Sequence, residues 1–254
     1  MFLKHKIPQS LNKSRIDVVL KELNLVDSRN KAIAMIISGK VYVNDVKIDK
    51  PGKIVKSNTT LKLKKNEHEW VSRGGIKLEN AIKKLAINVR HKTCLDIGCS
   101  TGGFSEVLIK RNVKKIYAVD VGYGQFDWKL RNTRNIVLLE RTNVKDLNIS
   151  LIPEKIDLVV CDVSFISLKK VMLPIKNFLA DRFQILSLIK PQFEANRNEV
   201  GKGGIIKDDK IHSRVCEEID NWFKINFKNI STRIIQSSIF GQKGNKEFFI
   251  YINN

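Results

Sequence analysis

Five apolar runs, "TCLDIG", "KIYAVDVG", "NIVLLE", "IDLVVCDVSF" and "FQILSLIKP", follow one another after residue 70. Stretches with helical spacing separate most of them, such as Phe104, Val107 and Leu108, then Val171, Ile175, Phe178 and Leu179. A strand that is apolar at consecutive positions is covered on both faces, and a helix between strands is the crossover that parallel pairing requires. The pattern restricts this part of the chain to an α/β fold around a mostly parallel sheet with helices on both sides. Late in the chain, "RIIQSSIFG" and "KEFFIYI" are joined by a short loop, which predicts an antiparallel pair at one edge.

The first of these runs leads into "CLDIGCSTGGFSEVLI", a strand, a glycine turn and a helix. Such a turn brings a ligand against the backbone N–H groups of a helix N-terminus at the end of a parallel strand. Three ligand chemistries compete for it. A dinucleotide fingerprint needs G-x-G-x-x-G, and Ser100 occupies the middle glycine position. A nucleophile elbow needs G-x-S-x-G, which residues 98–102 satisfy. Yet the turn follows the first strand of its domain, only His212 comes after it, and no glycine-rich oxyanion segment precedes it. In the third reading the ligand is S-adenosylmethionine. Asp120, at the end of the next strand, then takes the ribose hydroxyls, although its offset alone suits NAD equally well. A glycine turn that merely packs is the bland alternative.

The first 65 residues differ in period. Ser14 is placed to cap a helix carrying Ile16, Val19, Leu20 and Leu23, and Ser28 a second carrying Ala32, Ile33, Ile36 and Ile37, with Gly39 as its stop. "KVYVNDVKI" alternates around an Asn44-Asp45 turn and "TTLKLKK" supplies another short strand. "SRIDVVLKEL" through "SRNKAIAMIISGKVYVNDVKI" resembles an S4-type RNA-binding module, with Asp45 in place of the usual turn glycine. The resemblance implies that the basic residues near the helix starts and hairpin, Arg15, Arg29, Lys31, Lys40 and Lys47, lie against structured RNA.

Charge points the same way. The chain carries 46 Lys+Arg against 26 Asp+Glu, a formal net charge of +20. Residues 1–66 contain 15 basic and 5 acidic side chains, about half the excess in a quarter of the length. A polyanionic partner follows from that imbalance. No apolar run reaches the ~18 residues of a membrane span, and no amphipathic Lys/Trp helix suggests a membrane surface. Cys94, Cys99, Cys161 and Cys216 form no C-x-x-C and no paired framework, so neither disulfides nor a zinc site is expected, and a cytoplasmic protein fits.

"RGGIKL", "DIGCSTGGFS", "AVDVGYGQFDWKLR", "ERTNV", "DVSFISL", "LIKPQFE", "GKGGIIKD" and "NKEFFIYI" occur in that order. Together they resemble the TlyA family of ribosomal RNA methyltransferases, across nearly the whole chain. The resemblance implies an S4-like domain over 1–66, a connector over 67–75, and an FtsJ-like methyltransferase domain over 76–254. The latter would be a Rossmann-like class I domain with a mostly parallel seven-stranded sheet.

It also implies methylation of a cytidine ribose 2′-hydroxyl in 16S or 23S rRNA. S-adenosylmethionine would be the donor and S-adenosylhomocysteine the product, ribosomal RNA or subunits the partner, and no metal is expected. The family's Lys-Asp-Lys-Glu tetrad falls on Lys77, Asp162, Lys190 and Glu247. Cofactor contacts fall on Asp96, Gly98, Ser100, Thr101, Gly102, Gly103 and Phe104 along the turn, Asp120 and Val121 beside the ribose, Asn143 and Val144 near the adenine, and Asp162. Arg73 joins the RNA-binding set. Cys99 departs from the small aliphatic residue usual in the family.

A ribose hydroxyl is a poor nucleophile and needs alignment and a proton acceptor. Lys190 is expected in that role, with Lys77, Asp162 and Glu247 orienting. Taken singly, each of the four would be an ordinary surface charge or salt bridge, Glu247 above all if its strand is an edge. "GYGQ" and "GKGGIIKD" are glycine-punctuated loops near the expected site, either closures over substrate or plain connections. The competing class is a non-catalytic ribosome-binding factor that keeps the fold. A haemolysin label, common in the family, would call for a membrane-spanning pattern.

Overall fold

The computed structural model describes residues 2–26, 28–37, 39–64 and 69–254. The chain divides into two compact units, Met1–Glu69 and Trp70–Asn254.

The first unit runs β1 (Phe2–Lys6), β2 (Ser14–Arg15), α1 (Ile16–Glu22), α2 (Arg29–Ile37), β3 (Val41–Val43), β4 (Val46–Lys47), β5 (Ile54–Val55) and β6 (Thr60–Lys64). Four strands make an antiparallel sheet in the order β1-β6-β3-β4. Asn44 and Asp45 both have positive φ, 47° and 65°, so the hairpin closes with the two left-handed residues that match strand twist. Leu61, Leu63 and Val41 meet Ile16, Val19, Leu20, Ala32 and Ile36 in one small core.

The Ser28 hydroxyl accepts from the Lys31 N–H at 3.2 Å, and Gly39 ends α2 at φ +69°. Ser14 does not cap α1. It pairs with Val55 in β2, and Arg15 takes the cap position with no side-chain bond. A two-residue ladder uses the backbone that the cap would have needed.

The second unit runs α3 (Arg73–Leu85), β7 (Thr93–Ile97), α4 (Gly103–Lys110), β8 (Lys115–Val119), α5 (Trp128–Arg131), β9 (Ile136–Leu139), β10 (Ile156–Cys161), α6 (Leu168–Met172), β11 (Leu179–Ile189), α7 (Pro191–Glu194), α8 (Asp209–Asn226), β12 (Ser231–Gln236) and β13 (Phe248–Asn253). Its seven strands are ordered β12-β13-β11-β10-β7-β8-β9, parallel from β11 to β9. β13 is antiparallel to both neighbours, which leaves only β12 at that edge.

Consecutive residues of the central strands serve opposite cores. Leu95, Val159 and Cys161 pack on one side with α6 and α8, while Cys94, Leu158 and Val160 pack on the other with α3 and α4. The chain leaves β7 toward β8 and β9, then returns to β10 on β7's other side. The carboxyl ends of β7 and β10 therefore flank a topological switch point, where open α/β sheets hold ligands.

Two expectations are corrected here. The helix expected through Leu179 stops at Met172, ahead of Pro174, and Leu179 opens β11. Of the expected connector 67–75, residues 67–68 lie outside the described residues, and Trp70 onward belongs to the second unit. Arg73–Gly75 form the first turn of α3. A Cβ on Gly75 would fall 2.5 Å from the Trp70 ring, so this glycine lets the indole lie against the helix.

Candidate active site

The loop after β7 turns back on itself through three left-handed residues, Gly98 (φ 77°), Ser100 (φ 46°) and Gly102 (φ 91°), before α4 starts at Gly103. A Cβ on Gly98 would sit 2.7 Å from the Asp162 carbonyl oxygen, so only glycine lets the loop cross the end of β10. A Cβ on Gly103 would come 2.1 Å from Ser72 Oγ and 3.0 Å from the Gly75 nitrogen, which fixes α4 tightly against the start of α3. Ser100 tolerates its left-handed backbone because its N–H donates to Asp120 Oδ2 at 2.8 Å. The other oxygen of Asp120 accepts from the Gly122 N–H at 2.7 Å. Asp120 thus braces the glycine loop from the end of β8.

Asp96 lies beneath the loop, fully buried. Its Oδ2 accepts from Ser105 Oγ at 2.6 Å, while Oδ1 has no hydrogen-bond partner among the described residues. Burial pushes its carboxyl up to about 7, opposed by the Ser105 hydroxyl and reinforced by the nearby charge of Asp162.

Two ion pairs stand beside this loop. Lys77, on the second turn of α3, donates from Nζ to Glu247 Oε2 at 2.6 Å, across 170 residues of sequence, and both side chains are buried. Glu247 precedes β13, and a Cβ on Gly241 would lie 1.9 Å from its Oε1, so that glycine makes room for the carboxylate. Lys190, at the end of β11, places Nζ 2.5 Å from Asp162 Oδ1 at the end of β10 and donates to Ser164 Oγ at 2.9 Å. A buried ammonium needs a partner carboxylate, and each lysine has one. Glu247 is on no edge: β12 flanks β13 on its outer side.

All four residues line one open cleft of about 430 Å³ together with Gly98, Ser100, Thr101, Gly103 and Phe104. The same cleft takes in Ser72, Arg73, Ser164, Gln192, Phe193, Phe240 and Gly241. Of these, only Arg73 was singled out from sequence. Gly241 could have been flagged as a glycine six residues before Glu247, and Ser164 by its place two residues after Asp162. Ser72, Gln192, Phe193 and Phe240 sit in irregular segments or short turns and carry no periodic signal. Phe165, at φ +64° and 87% exposed, packs against Phe193 with ring centroids 4.9 Å apart.

Other expected cofactor residues lie around the cleft without lining it. Val121 is 71% exposed, Asn143 caps a short turn by accepting from the Lys145 N–H at 3.1 Å, and Val144 is in the core. The "GKGGIIKD" loop is tied to the segment before Glu247. Asn245, itself buried, donates to the Gly204 carbonyl at 2.9 Å and accepts from the Ile206 N–H at 3.1 Å, and Lys243 donates to the Gly203 carbonyl at 2.9 Å.

The basic residues expected on RNA fall into two sets. In the first unit the fully buried Asp17 carboxylate accepts from Arg15 Nε at 3.0 Å and Arg29 Nε at 2.8 Å. The Arg15 guanidinium, then Arg29, hold its carboxyl down to about 2. One acid between two guanidiniums leaves a net positive charge, and both arginines remain about half exposed. Lys31 lies on α2, Lys40 precedes β3 and Lys47 lies on β4. Arg73 belongs to the second unit, opening α3 and donating to the Phe240 carbonyl at 3.1 Å.

Comparison with known proteins adds the following. The profile of the FtsJ-like methyltransferase family matches residues 70–254 and that of the S4 domain residues 14–61. The chain is 37% identical over 247 residues to the 16S/23S rRNA (cytidine-2′-O)-methyltransferase TlyA of Mycobacterium tuberculosis, covering 94% of this chain and 90% of that one. It is 40% identical over 239 residues to Hemolysin A of Brachyspira hyodysenteriae, covering 93% and 98%. A solved structure from Streptococcus thermophilus that carries a hemolysin name superposes with a TM-score of 0.71 at 35% identity, over 96% of this chain and 89% of that one.

Proposed function

The chain belongs to the TlyA family of rRNA methyltransferases, with an S4 domain ahead of an FtsJ-like methyltransferase domain, and from that premise we propose that it methylates the ribose 2′-hydroxyl of a cytidine in 16S or 23S rRNA. S-adenosylmethionine is the donor, and the cytoplasm, where ribosomal RNA is found, is the place of action. One observation carries this reading. Two lysine–carboxylate pairs whose lysines are buried, Lys77 with Glu247 and Lys190 with Asp162, line the same cleft as the glycine loop.

The cleft suits such a cofactor. Its volume falls in the range of small-molecule sites, about 300–1,000 Å³. The loop carries no side chain at Gly98, Gly102 or Gly103, and the partnerless Asp96 Oδ1 is an unused acceptor beneath it. Asp96, Gly98, Ser100, Thr101, Gly102, Gly103 and Phe104 would hold the cofactor along the loop, with Asp162 beside them. Asp120 and Val121 would hold the ribose, and Asn143 and Val144 the adenine. Each oxygen of Asp120 accepts one backbone N–H and keeps a lone pair for a ribose hydroxyl. When bound, the cofactor supplies an electrophilic methyl group.

The chain's own task is to align the ribose oxygen and take its proton. Lys190 does so after releasing its own proton to solvent, taking the hydroxyl proton on Nζ beside Asp162 and Ser164. As the proton arrives Nζ becomes an ammonium, and Asp162 at 2.5 Å gains a full cationic partner. The pair is therefore stronger as transfer proceeds than before it, which is what lowers a barrier. Lys77, held by Glu247, orients the ribose oxygen from α3 with little rotameric freedom. Among the described residues no helix is long and apolar enough to cross a membrane, and the haemolysin names of relatives find no helical span here.

The test is to incubate the protein and methyl-labelled S-adenosylmethionine with small subunits, large subunits and naked rRNA, then map nucleosides by mass spectrometry. Label in 2′-O-methylcytidine is expected. No ribose methylation on any of the three overturns the proposal.

A further inference from the structure

The sheet of the first unit has one face under its helices and one turned away from them. Leu61, Leu63 and Val41 point into the core. The register pairs Phe2 with Lys64, Lys4 with Lys62, Lys6 with Thr60, and Tyr42 with Lys62 and Lys47. Directly paired residues share a face, so five lysines, Lys4, Lys6, Lys47, Lys62 and Lys64, lie on the outer surface with two aromatic rings. The rings of Phe2 and Tyr42 meet edge to face, 5.3 Å apart, and Phe2 remains 43% exposed. One of these lysines, Lys62, is ion-paired with Asp45.

Lysines on edge strands are a common guard against unwanted pairing, and that accounts for those on β1 and β4. It does not account for Lys62 and Lys64 on β6, an interior strand. Lys4 directly opposite Lys62 is a like-charge pair that costs stability. Nor does edge protection call for an aromatic pair, the exposed Phe2 on the part-buried Tyr42, in the midst of the lysines. A partner with negative charge at intervals and flat apolar rings between them satisfies both features.

We propose that this face binds an unpaired stretch of RNA, its phosphates against the lysines and its bases against Phe2 and Tyr42. Sheets that present aromatic side chains to splayed bases are a recurrent way of holding single-stranded RNA. The surface is separate from the helix-start arginines around Asp17. Five of its residues, Phe2, Lys4, Lys6, Lys62 and Lys64, also lie outside the S4 match, which covers residues 14–61. From the rRNA methyltransferase reading it takes only the choice of polyanion.

The experiment measures binding of full-length protein to a labelled oligouridylate 12-mer by anisotropy, with rRNA methylation assayed in parallel. Phe2→Ala removes a base-stacking ring and is expected to weaken oligouridylate binding about tenfold, as loss of one stacked base does. Lys4→Glu with Lys6→Glu is expected to weaken it further and to flatten its salt dependence. Circular dichroism should stay at wild-type values and the melting midpoint should not fall, since all three side chains are exposed and Lys4→Glu relieves the like-charge pair with Lys62.

Oligouridylate binding unchanged in both variants overturns the proposal. Tighter binding of a polyglutamate peptide or of phosphatidylglycerol vesicles than of oligouridylate, lost in the same variants, also overturns it in favour of those partners. The two readings fail separately. A wild-type protein that methylates rRNA while the variants bind oligouridylate normally sinks only this inference. One that methylates nothing, yet loses oligouridylate binding in the variants, sinks only the methyltransferase proposal.

Discussion

At the scale of single residues, the two ion pairs predict different losses. Lys190→Ala removes the proposed proton acceptor, and kcat should fall by about 10²–10⁴, the usual contribution of a positioned acid or base. Lys77→Ala should abolish transfer while leaving S-adenosylmethionine binding by calorimetry nearly unchanged, and Asp162→Ala should abolish transfer and also weaken that binding; full activity in either would dismantle the tetrad. Asp17 is the residue-scale prediction for stability. Its folded carboxyl lies near 2, below the unfolded value of about 3.9. Its ionised partnership with Arg15 and Arg29 thus contributes fully above about pH 4 and is lost as pH falls through about 2. Asp17→Asn should lower the melting midpoint of the first unit at pH 7, by a few degrees for a unit of this size, and have little effect at pH 2. An equal drop at both pH values would mean that the ion pairs are not the source.

At the scale of elements, the site depends on how closely α3, α4 and the segment before β13 approach. Gly241→Ala would drive a methyl group into Glu247 Oε1, 1.9 Å from the new Cβ, and push the carboxylate off Lys77. We expect transfer to fall at least tenfold and the melting midpoint to drop as the buried pair is broken; normal kcat would show that Glu247 is not needed where it sits. Asp96 gives a pH test of the glycine loop above it. Between about 3.9 unfolded and about 7 folded, the native chain keeps a proton that the unfolded chain has released. Stability therefore falls as pH rises from about 4 to about 7 and levels off above. The urea midpoint of wild type should decline over that range relative to Asp96→Asn, and parallel profiles would remove the buried carboxyl as the cause.

These elements also show what sequence makes legible. Runs of consecutive apolar residues announced β7, β8 and β10 because both faces of those strands are covered. The closeness of the two apolar runs "RIIQSSIFG" and "KEFFIYI" announced the pairing of β12 and β13, although residues 237–247 connect them. It could not say which of the two also pairs with β11, because hairpin length fixes the local register and carries no information about the next neighbour. Glu247 consequently read as an edge residue until β12 was seen outside it. Ser72 and Gly241 are invisible for a related reason: each matters through a contact with a residue far along the chain, Gly103 or Glu247, and neither falls in a periodic segment.

At the scale of the whole molecule, the two units treat charge in opposite ways. The first exposes its excess, 15 basic against 5 acidic side chains over residues 1–66, and even its buried Asp17 leaves two half-exposed arginines. The second holds the two lysines of its cleft, both buried, against Glu247 and the part-buried Asp162. Salt screens exposed charges strongly and buried pairs far less. Ionic strength should therefore separate binding from chemistry in the intact protein. Six to ten phosphate contacts would weaken binding by about 10³–10⁵ between 50 and 200 mM salt. The KM for ribosomal RNA should rise steeply over that range, while kcat at saturating RNA stays within about twofold. A kcat that fell in step with affinity would mean that Lys77 and Lys190 work as exposed phosphate-binding charges. The tetrad, with Lys190 as proton acceptor, would then have to be abandoned, however well its distances fit.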